Sequence, residues 1–295
     1  MKTPIFTGCG VAIVTPFRGG EVDYGAFRQL IDWQIESGTD AIIVCGTTGE
    51  AATLTPDERR NVIKICVEQV NRRVPVIAGS GSNSTAHAVE LSKEAEKLGA
   101  DGLLVVTPYY NKATQKGLIR HFLAVSDAVE TPVIIYNVPS RTGVKCTAET
   151  YAILASHPNI NGVKEASGDF ALIQDTVNLC PADFSVWSGN DEETAAITLL
   201  GGRGVLSVAA NIVPREMHAL CELCFENDFA AAGDLQLKLS PLLRALFSEV
   251  NPIPVKAAME ELGLCSGDLR LPLCDISPEN RKRVKSAMEC FGVVV

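Results

Sequence analysis

The feature that most narrows the folds open to this chain is an alternation of short apolar runs with amphipathic stretches, repeated eight times. The runs span residues 10–15, 41–45, 75–79, 102–107, 132–138, 160–166, 184–188 and 204–209. Several are rich in valine and isoleucine, which suits strands buried on both faces. The stretches between them carry helix start signals. Thr55-Pro56-Asp57-Glu58 supplies an N-cap, a proline at the first helical position and acids in the first turn. Residues 84–98 end at Gly99, a fitting C-terminal glycine, and Thr147 and Asp191-Glu192-Glu193 open two further helices. Eight strand–helix units predict an α/β chain closed as a parallel (β/α)8 TIM barrel. An open doubly wound sheet is the runner-up. Against it, Gly79-Ser80-Gly81-Ser82-Asn83-Ser84 only half matches a dinucleotide fingerprint and follows the third strand, not the first, so it reads as a tight turn.

Past Phe225 the strand pattern stops. Residues 230–247, 254–262 and 278–290 read as helices, separated by Asn251-Pro252-Ile253-Pro254 and by residues 263–272. The expected organisation is therefore a catalytic barrel over 1–225 and a C-terminal helical region over 226–295. With 295 residues, 46% hydrophobic and 21% charged, the chain has ample material for a large core. A net charge of −9 argues against nucleic acid as a partner, which needs clustered positive charge. No opening segment resembles a targeting peptide, and no apolar run approaches the roughly 20 residues that cross a bilayer. A soluble, cytoplasmic protein without membrane contact is expected. The ten cysteines are scattered and read as reduced, mostly buried small hydrophobes. Cys221 and Cys224 with His218 upstream lack a second pair, so no metal site is expected there.

Chemistry is sought where barrels place it, at strand C-termini and the loops that follow. Lys164 stands out, because a lysine inside a short buried strand is costly. On its strand it shares a face with Gly162 and Ala166, two minimal neighbours that predict a hole around the amine. Burial disfavours the ammonium form, and a neutral amine can attack a carbonyl to form a Schiff base. Snorkelling to water, or pairing with Glu165, is the plainer alternative. Tyr136 lies on the preceding strand; neighbouring strands are about 4.8 Å apart, so its phenol is expected within reach of the amine or its adduct. Thr47 and Thr48, in Gly46-Thr47-Thr48-Gly49-Glu50, could relay protons or merely cap a turn. Arg141 offers a planar fork for a carboxylate, or is a surface loop arginine.

Four runs carry a resemblance: GTTGE at 46–50, PYYNK at 108–112, YNVPSRTG at 136–143 and GVKEASGD at 162–169. In combination they resemble the dihydrodipicolinate synthase family, within the larger N-acetylneuraminate lyase group of class I aldolases, and the likeness extends from Thr7 to Lys256. The resemblance implies condensation of pyruvate, held as an imine, with aspartate semialdehyde in lysine and diaminopimelate biosynthesis. The imine acts as the electron sink, so no cofactor or metal is implied. It makes Lys164 the Schiff-base lysine and Tyr136 the general acid/base. Thr48 and Tyr110 complete the relay, the tyrosine donated by a neighbouring subunit of a homo-oligomer, with a tetramer built from dimers implied. Thr47 would contact the pyruvate carboxylate or the relay, Arg141 the second substrate's carboxylate, and Gly189 and Leu206 would line the pocket through their backbone. A sialic acid lyase or sugar-acid aldolase would keep the lysine and tyrosine, and a silent sensor of 2-oxo acids would keep the fold. The paired threonines and Arg141 favour the synthase family. Its lysine-sensitive members bind the end product beside the equivalent of Tyr109. This chain keeps Asn83 and Tyr109 but has His87 where an acid is expected, with Ala51, Ala52, Pro56 and Arg59 nearby. A vestigial lysine site with weak or absent inhibition is the expectation, Arg59 adding repulsion unless it turns to solvent.

Overall fold

A computed structural model describes residues 1–293. Eight parallel strands close into a barrel: β1 (Gly8–Ala12), β2 (Ala41–Val44), β3 (Val76–Gly79), β4 (Gly102–Val106), β5 (Val133–Asn137), β6 (Ile160–Glu165), β7 (Ser185–Ser188) and β8 (Gly204–Ser207). Each pairs with its successor, and β1 closes the ring on both sides, with Gly10 opposite Leu206 of β8 and opposite Ala41 of β2. Every strand residue is buried except the half-buried Val106, as parallel strands covered on two faces require.

The inward and outward faces form two separate apolar layers. Inside, Phe6, Ile43, Ile77, Leu104, Ile134, Trp187 and Leu206 fill the barrel. Phe6 stacks on Trp187 with centroids 5.3 Å apart, and Trp187 Nε1 donates to the Phe6 carbonyl at 3.2 Å. The filling leaves room for chemistry only at the C-terminal mouth. Outside, the strands are covered by α1 (Tyr24–Glu36), α2 (Pro56–Val70), α3 (Thr85–Lys97), α4 (Gln115–Ser126), α5 (Ala148–Ala155), α6 (Phe170–Leu179), α7 (Thr194–Leu199) and α8 (Pro214–Phe225). The predicted caps form. Thr55 Oγ1 accepts from Glu58 N while Glu58 reaches back to Thr55 N, and Ser84 and Thr147 cap α3 and α5. Asp191-Glu192-Glu193 makes a 3-10 turn leading into α7.

The predicted strands run one to three residues too long at one or both ends, and the first also begins two residues late. At β2 the reason is visible, since Cys45 turns out of the sheet with φ 54. Short elements without a sequence expectation include a ribbon pairing Phe17–Arg18 with Glu21–Val22, a helical turn over Pro139–Thr142 and 3-10 turns at Ala51–Thr53 and Ala209–Asn211.

After α8 come α9 (Phe229–Leu246), α10 (Ile253–Glu261) and α11 (Pro278–Phe291), each within a residue of its predicted limits. They reach back over the barrel mouth through one buried ion pair. Lys256 on α10 meets Glu50 at 2.5 Å, both essentially inaccessible to solvent, and Lys256 also donates to the Asp268 carbonyl at 2.8 Å. Glu50 takes a second bond from Arg270 N at 3.2 Å. Removing one partner of such a pair strands a buried charge and costs about 3–5 kcal/mol. Arg270 further forks onto Glu58, which holds that carboxyl down at about 2. The loop after β2 is thus tied to the C-terminal segment from both its ends.

Candidate active site

Two adjacent strands bring the central pair together. In the β5–β6 register Tyr136 stands directly opposite Lys164. Inward-pointing residues on facing positions converge, and Lys164 Nζ lies 4.4 Å from the centre of the Tyr136 ring. Both side chains are buried, at 5% and 7% exposure, which removes the snorkelling alternative for the lysine. Pairing with Glu165 is also removed. Glu165 points to the helix layer, where it accepts from Tyr151 Oη at 2.8 Å, Asn137 Nδ2 at 3.0 Å and Ser167 N at 2.8 Å. Burial pushes its carboxyl up, opposed by these bonds. Among the described residues, no carboxylate comes within ion-pair distance of Lys164.

The hole around the amine has a different origin from the expected one. Ala166 contributes, but the missing side chain at Gly162 serves strand packing, since a Cβ there would meet the Ser185 carbonyl at 2.0 Å. Gly189 supplies the space instead. A Cβ at that position would meet Ala166 Cβ at 2.7 Å and press on Lys164 Cε at 3.1 Å. Its N–H donates to the Glu165 carbonyl at 2.7 Å, which fixes the loop after β7 against β6.

The cavity over Lys164 has a volume of about 180 Å³, and its wall includes Thr47, Thr48, Tyr136, Arg141, Gly189 and Asn251. Thr47 and Thr48 sit between two residues with left-handed backbones, Cys45 at φ 54 and Glu50 at φ 50. Such conformations cost roughly 1–3 kcal/mol each and persist where the surroundings hold them. At Glu50 the buried Lys256 ammonium does so. Arg141 projects from the helical turn after β5, exposed at its outer side, and its Nη2 donates to the Asn251 carbonyl at 3.3 Å.

Asn251 is the residue that sequence reasoning missed. It read as part of a proline-rich connection, yet its Nδ2 donates to Thr48 Oγ1 at 3.0 Å across 203 positions of sequence. The side chain is buried and its Oδ1 has no partner. The only sequence signal was the motif-like Asn251-Pro-Ile-Pro-Val-Lys256, whose two ends grip Thr48 and Glu50.

Leu206, expected to line this cavity, lies off it, as do Tyr110 and the residues of the expected lysine site. Leu206 is wholly buried in the barrel interior, and Val208 forms the wall at that strand end. Tyr110 is 88% exposed, on a backbone turned to φ 72, and lines no part of the cavity of its own chain. Tyr109 lines a neighbouring groove of about 550 Å³ with Ala51, Ala52, Arg59 and His87. Arg59 does not turn to solvent. It is buried, and its Nη2 donates to the Gly79 carbonyl. Asn83, on the loop before α3, accepts at its carbonyl from Asn111 Nδ2 at 2.9 Å.

Elsewhere, Cys221 and Cys224 are buried in α8 while His218 Nδ1 meets Asp40 Oδ2 at 2.8 Å. No group of three or more metal-ligating side chains converges among the described residues, and no described helix is long and apolar enough to cross a membrane.

The chain and its fold have close counterparts. The model of the dihydrodipicolinate synthetase family matches residues 5–290. A 4-hydroxy-tetrahydrodipicolinate synthase of Thermoanaerobacter sp. (strain X514) is 51% identical over 292 residues, covering 99% of this chain and 98% of that one. The crystal structure of the chloride-inhibited dihydrodipicolinate synthase of Acinetobacter baumannii, complexed with pyruvate, superposes with a TM-score of 0.96 at 44% identity, covering 98% and 99% of the two chains. That of the Cyanidioschyzon merolae enzyme with lysine bound gives 0.96 at 40% identity, covering 99% and 100%.

Proposed function

The chain belongs to the dihydrodipicolinate synthetase family, and from that membership we propose a reaction path carried by Lys164. The enzyme is a carbon–carbon bond-forming lyase of the class I aldolase type, condensing pyruvate with L-aspartate 4-semialdehyde on the way to lysine and diaminopimelate. The observation that carries the path is Lys164 itself: buried in the cavity lining, against the Tyr136 ring, with no carboxylate at ion-pair distance among the described residues.

The Lys164 amine adds to the pyruvate carbonyl, and loss of water gives the imine. The imine draws electrons from the methyl group, whose proton leaves to give an enamine. The enamine carbon attacks the aldehyde carbon of the second substrate. That substrate's amine then attacks the imine carbon and expels Lys164, closing the ring. Tyr136 moves the protons at the carbinolamine, with the Thr48 hydroxyl passing them on. Thr47 contacts the pyruvate carboxylate and Arg141 takes the carboxylate of the semialdehyde. Gly189 keeps the backbone close to the adduct. Tyr110, exposed on its own chain, reaches a neighbour's cavity to end the relay. The active unit is then at least a dimer, and a cytoplasmic homotetramer of paired dimers is part of the same reading.

The rival reaction, cleavage of a sugar acid, is disfavoured by the paired threonines and by Arg141 on the cavity wall, whose planar fork suits a carboxylate better than a run of hydroxyls. Purified protein given pyruvate and aspartate semialdehyde should form the cyclic product, while a panel of sugar acids with pyruvate as partner or product gives no turnover. Preferred turnover of a sugar acid would replace the reading.

The groove beside Tyr109 supports weak control by lysine. An ammonium entering it meets the buried Arg59 guanidinium, His87 cannot supply a carboxylate's charge, and the two carboxylates on the wall are already paired, Glu50 with Lys256 and Glu94 with Arg60. Losing a charge-assisted hydrogen bond costs about 1.5–3 kcal/mol, roughly ten- to a hundredfold in affinity. Titrating L-lysine at saturating pyruvate should give half-inhibition only above about millimolar, an affinity near −4 kcal/mol. Inhibition well below that concentration would show that the groove has kept its cation site.

A further inference from the structure

We propose that Glu165, on the outer face of the barrel wall, is a positioning residue: with Asn137 and Tyr151 it holds the Tyr136 phenol in register with the Lys164 amine. The inference rests on the reaction proposed above. Asn137 and Glu165 follow Tyr136 and Lys164 on β5 and β6, and they face each other one step further along the same register. Alternation turns them away from the cavity and into the helix layer. There Glu165 accepts from Asn137 Nδ2 at 3.0 and 3.1 Å, from Tyr151 Oη on α5 at 2.8 Å and from Ser167 N at 2.8 Å. Asn137 Oδ1 in turn accepts from Cys146 N at 3.2 Å. All three side chains are buried, and none of their polar atoms is left unpaired.

Two observations ask for more than packing. A buried carboxylate is costly, and among the described residues this one has no cation in contact, since Lys145, just before Cys146, pairs with Asp169 at 2.8 Å. Its partners all donate to it, so the knot is built around the ionised group. The second observation is an irregular start to the β5–β6 ladder. Val133 faces Ile160 but Ile134 faces Gly162, which makes Asn161 an extra residue in β6. Because side chains alternate, a slip of one residue would turn Lys164 to the helices and Glu165 into the cavity. The knot closes at the other end of the same two strands, beside the reacting groups, and pins the register that the bulge leaves loose. Through Ser167 N it also holds the chain just past Ala166, a residue of the cavity wall. A buried network with every member bonded specifies one arrangement, and here that arrangement sets phenol against amine.

A double-mutant cycle separates alignment of the pair from support of the fold. Glu165→Gln keeps the shape but brings an amide N–H2 into a knot of donors. In an otherwise unaltered chain it should lower kcat, and the rate at which borohydride traps pyruvate on Lys164, by about ten- to a hundredfold, the scale on which a displacement of about 1 Å acts. The KM for pyruvate should change little. In a Tyr136→Phe chain the same substitution should add almost nothing, because no phenol remains to be aligned. Tyr151→Phe removes one bond and no charge, so it should give a smaller loss of kcat with the same lack of additivity. That variant also covers the case in which Glu165→Gln fails to fold. Losses that add fully to that of Tyr136→Phe would make the knot a support of the fold alone and overturn the inference. A defect confined to KM, or wild-type kcat in both variants, would overturn it too. Absence of any pyruvate adduct on Lys164 in the wild-type protein would instead overturn the reaction, and this inference with it.

Discussion

In the presence of pyruvate and borohydride, the unaltered chain should gain a three-carbon mass on the peptide containing Lys164, and Lys164→Ala should gain none. Turnover of the variant should fall by roughly 10⁴- to 10⁶-fold, the scale at which removal of a covalent nucleophile acts. Other buried or nearby lysines cannot substitute. Lys256, the other fully buried lysine, is committed to Glu50 and the Asp268 carbonyl, and Lys145 is half exposed and pairs with Asp169 at 2.8 Å. An adduct confined to either would falsify the assignment. The same variant tests the shared site. Lys164→Ala chains keep Tyr110, and Tyr110→Phe chains keep Lys164. Mixed oligomers should therefore regain activity wherever a good lysine meets a good tyrosine across subunits. No recovery after verified subunit exchange would confine Tyr110 to its own chain.

What could be read from the sequence divides along physical lines. The eight strands were legible because a strand covered on both faces must be apolar along its whole length, and the helices because capping residues announce their starts. Tyr136 and Lys164 were legible as a pair because consecutive strands of a parallel barrel are neighbours, so their contact is nearly local. Asn251 was not. Its partner Thr48 lies 203 positions away, and nothing in a polar residue before a proline says which loop it will touch. Gly162 was misread for a related reason. A glycine beside a lysine makes room only if the lysine fills that direction, and here the neighbouring strand does. The space came from Gly189, whose loop meets Lys164 only once β6 and β7 are paired. Arg59 likewise looked free to turn outward, because the Gly79 carbonyl that holds it belongs to another βα unit.

Tyr136→Phe isolates proton transfer, because the phenylalanine keeps almost everything else. The aromatic ring that Lys164 Nζ faces at 4.4 Å remains, so the amine keeps its packing and its interaction with the ring face. The hydroxyl makes no hydrogen bond to another described residue, so its loss strands no buried partner and the fold should be untouched. What disappears is the group beside the amine that can give a proton to the departing hydroxyl of the carbinolamine and take one during imine formation. General acid/base groups contribute about 10²- to 10⁴-fold, and the loss should fall on kcat, with the KM for pyruvate little changed. Borohydride trapping over time gives the sharper reading. The adduct on Lys164 should still reach completion, but more slowly by a similar factor, since water is a weaker acid than a phenol held beside the amine. Wild-type turnover in this variant would remove the role from Tyr136. A defect confined to KM would make the tyrosine a binding group, leaving Thr48 and the tyrosine from the neighbouring chain to carry the protons without it.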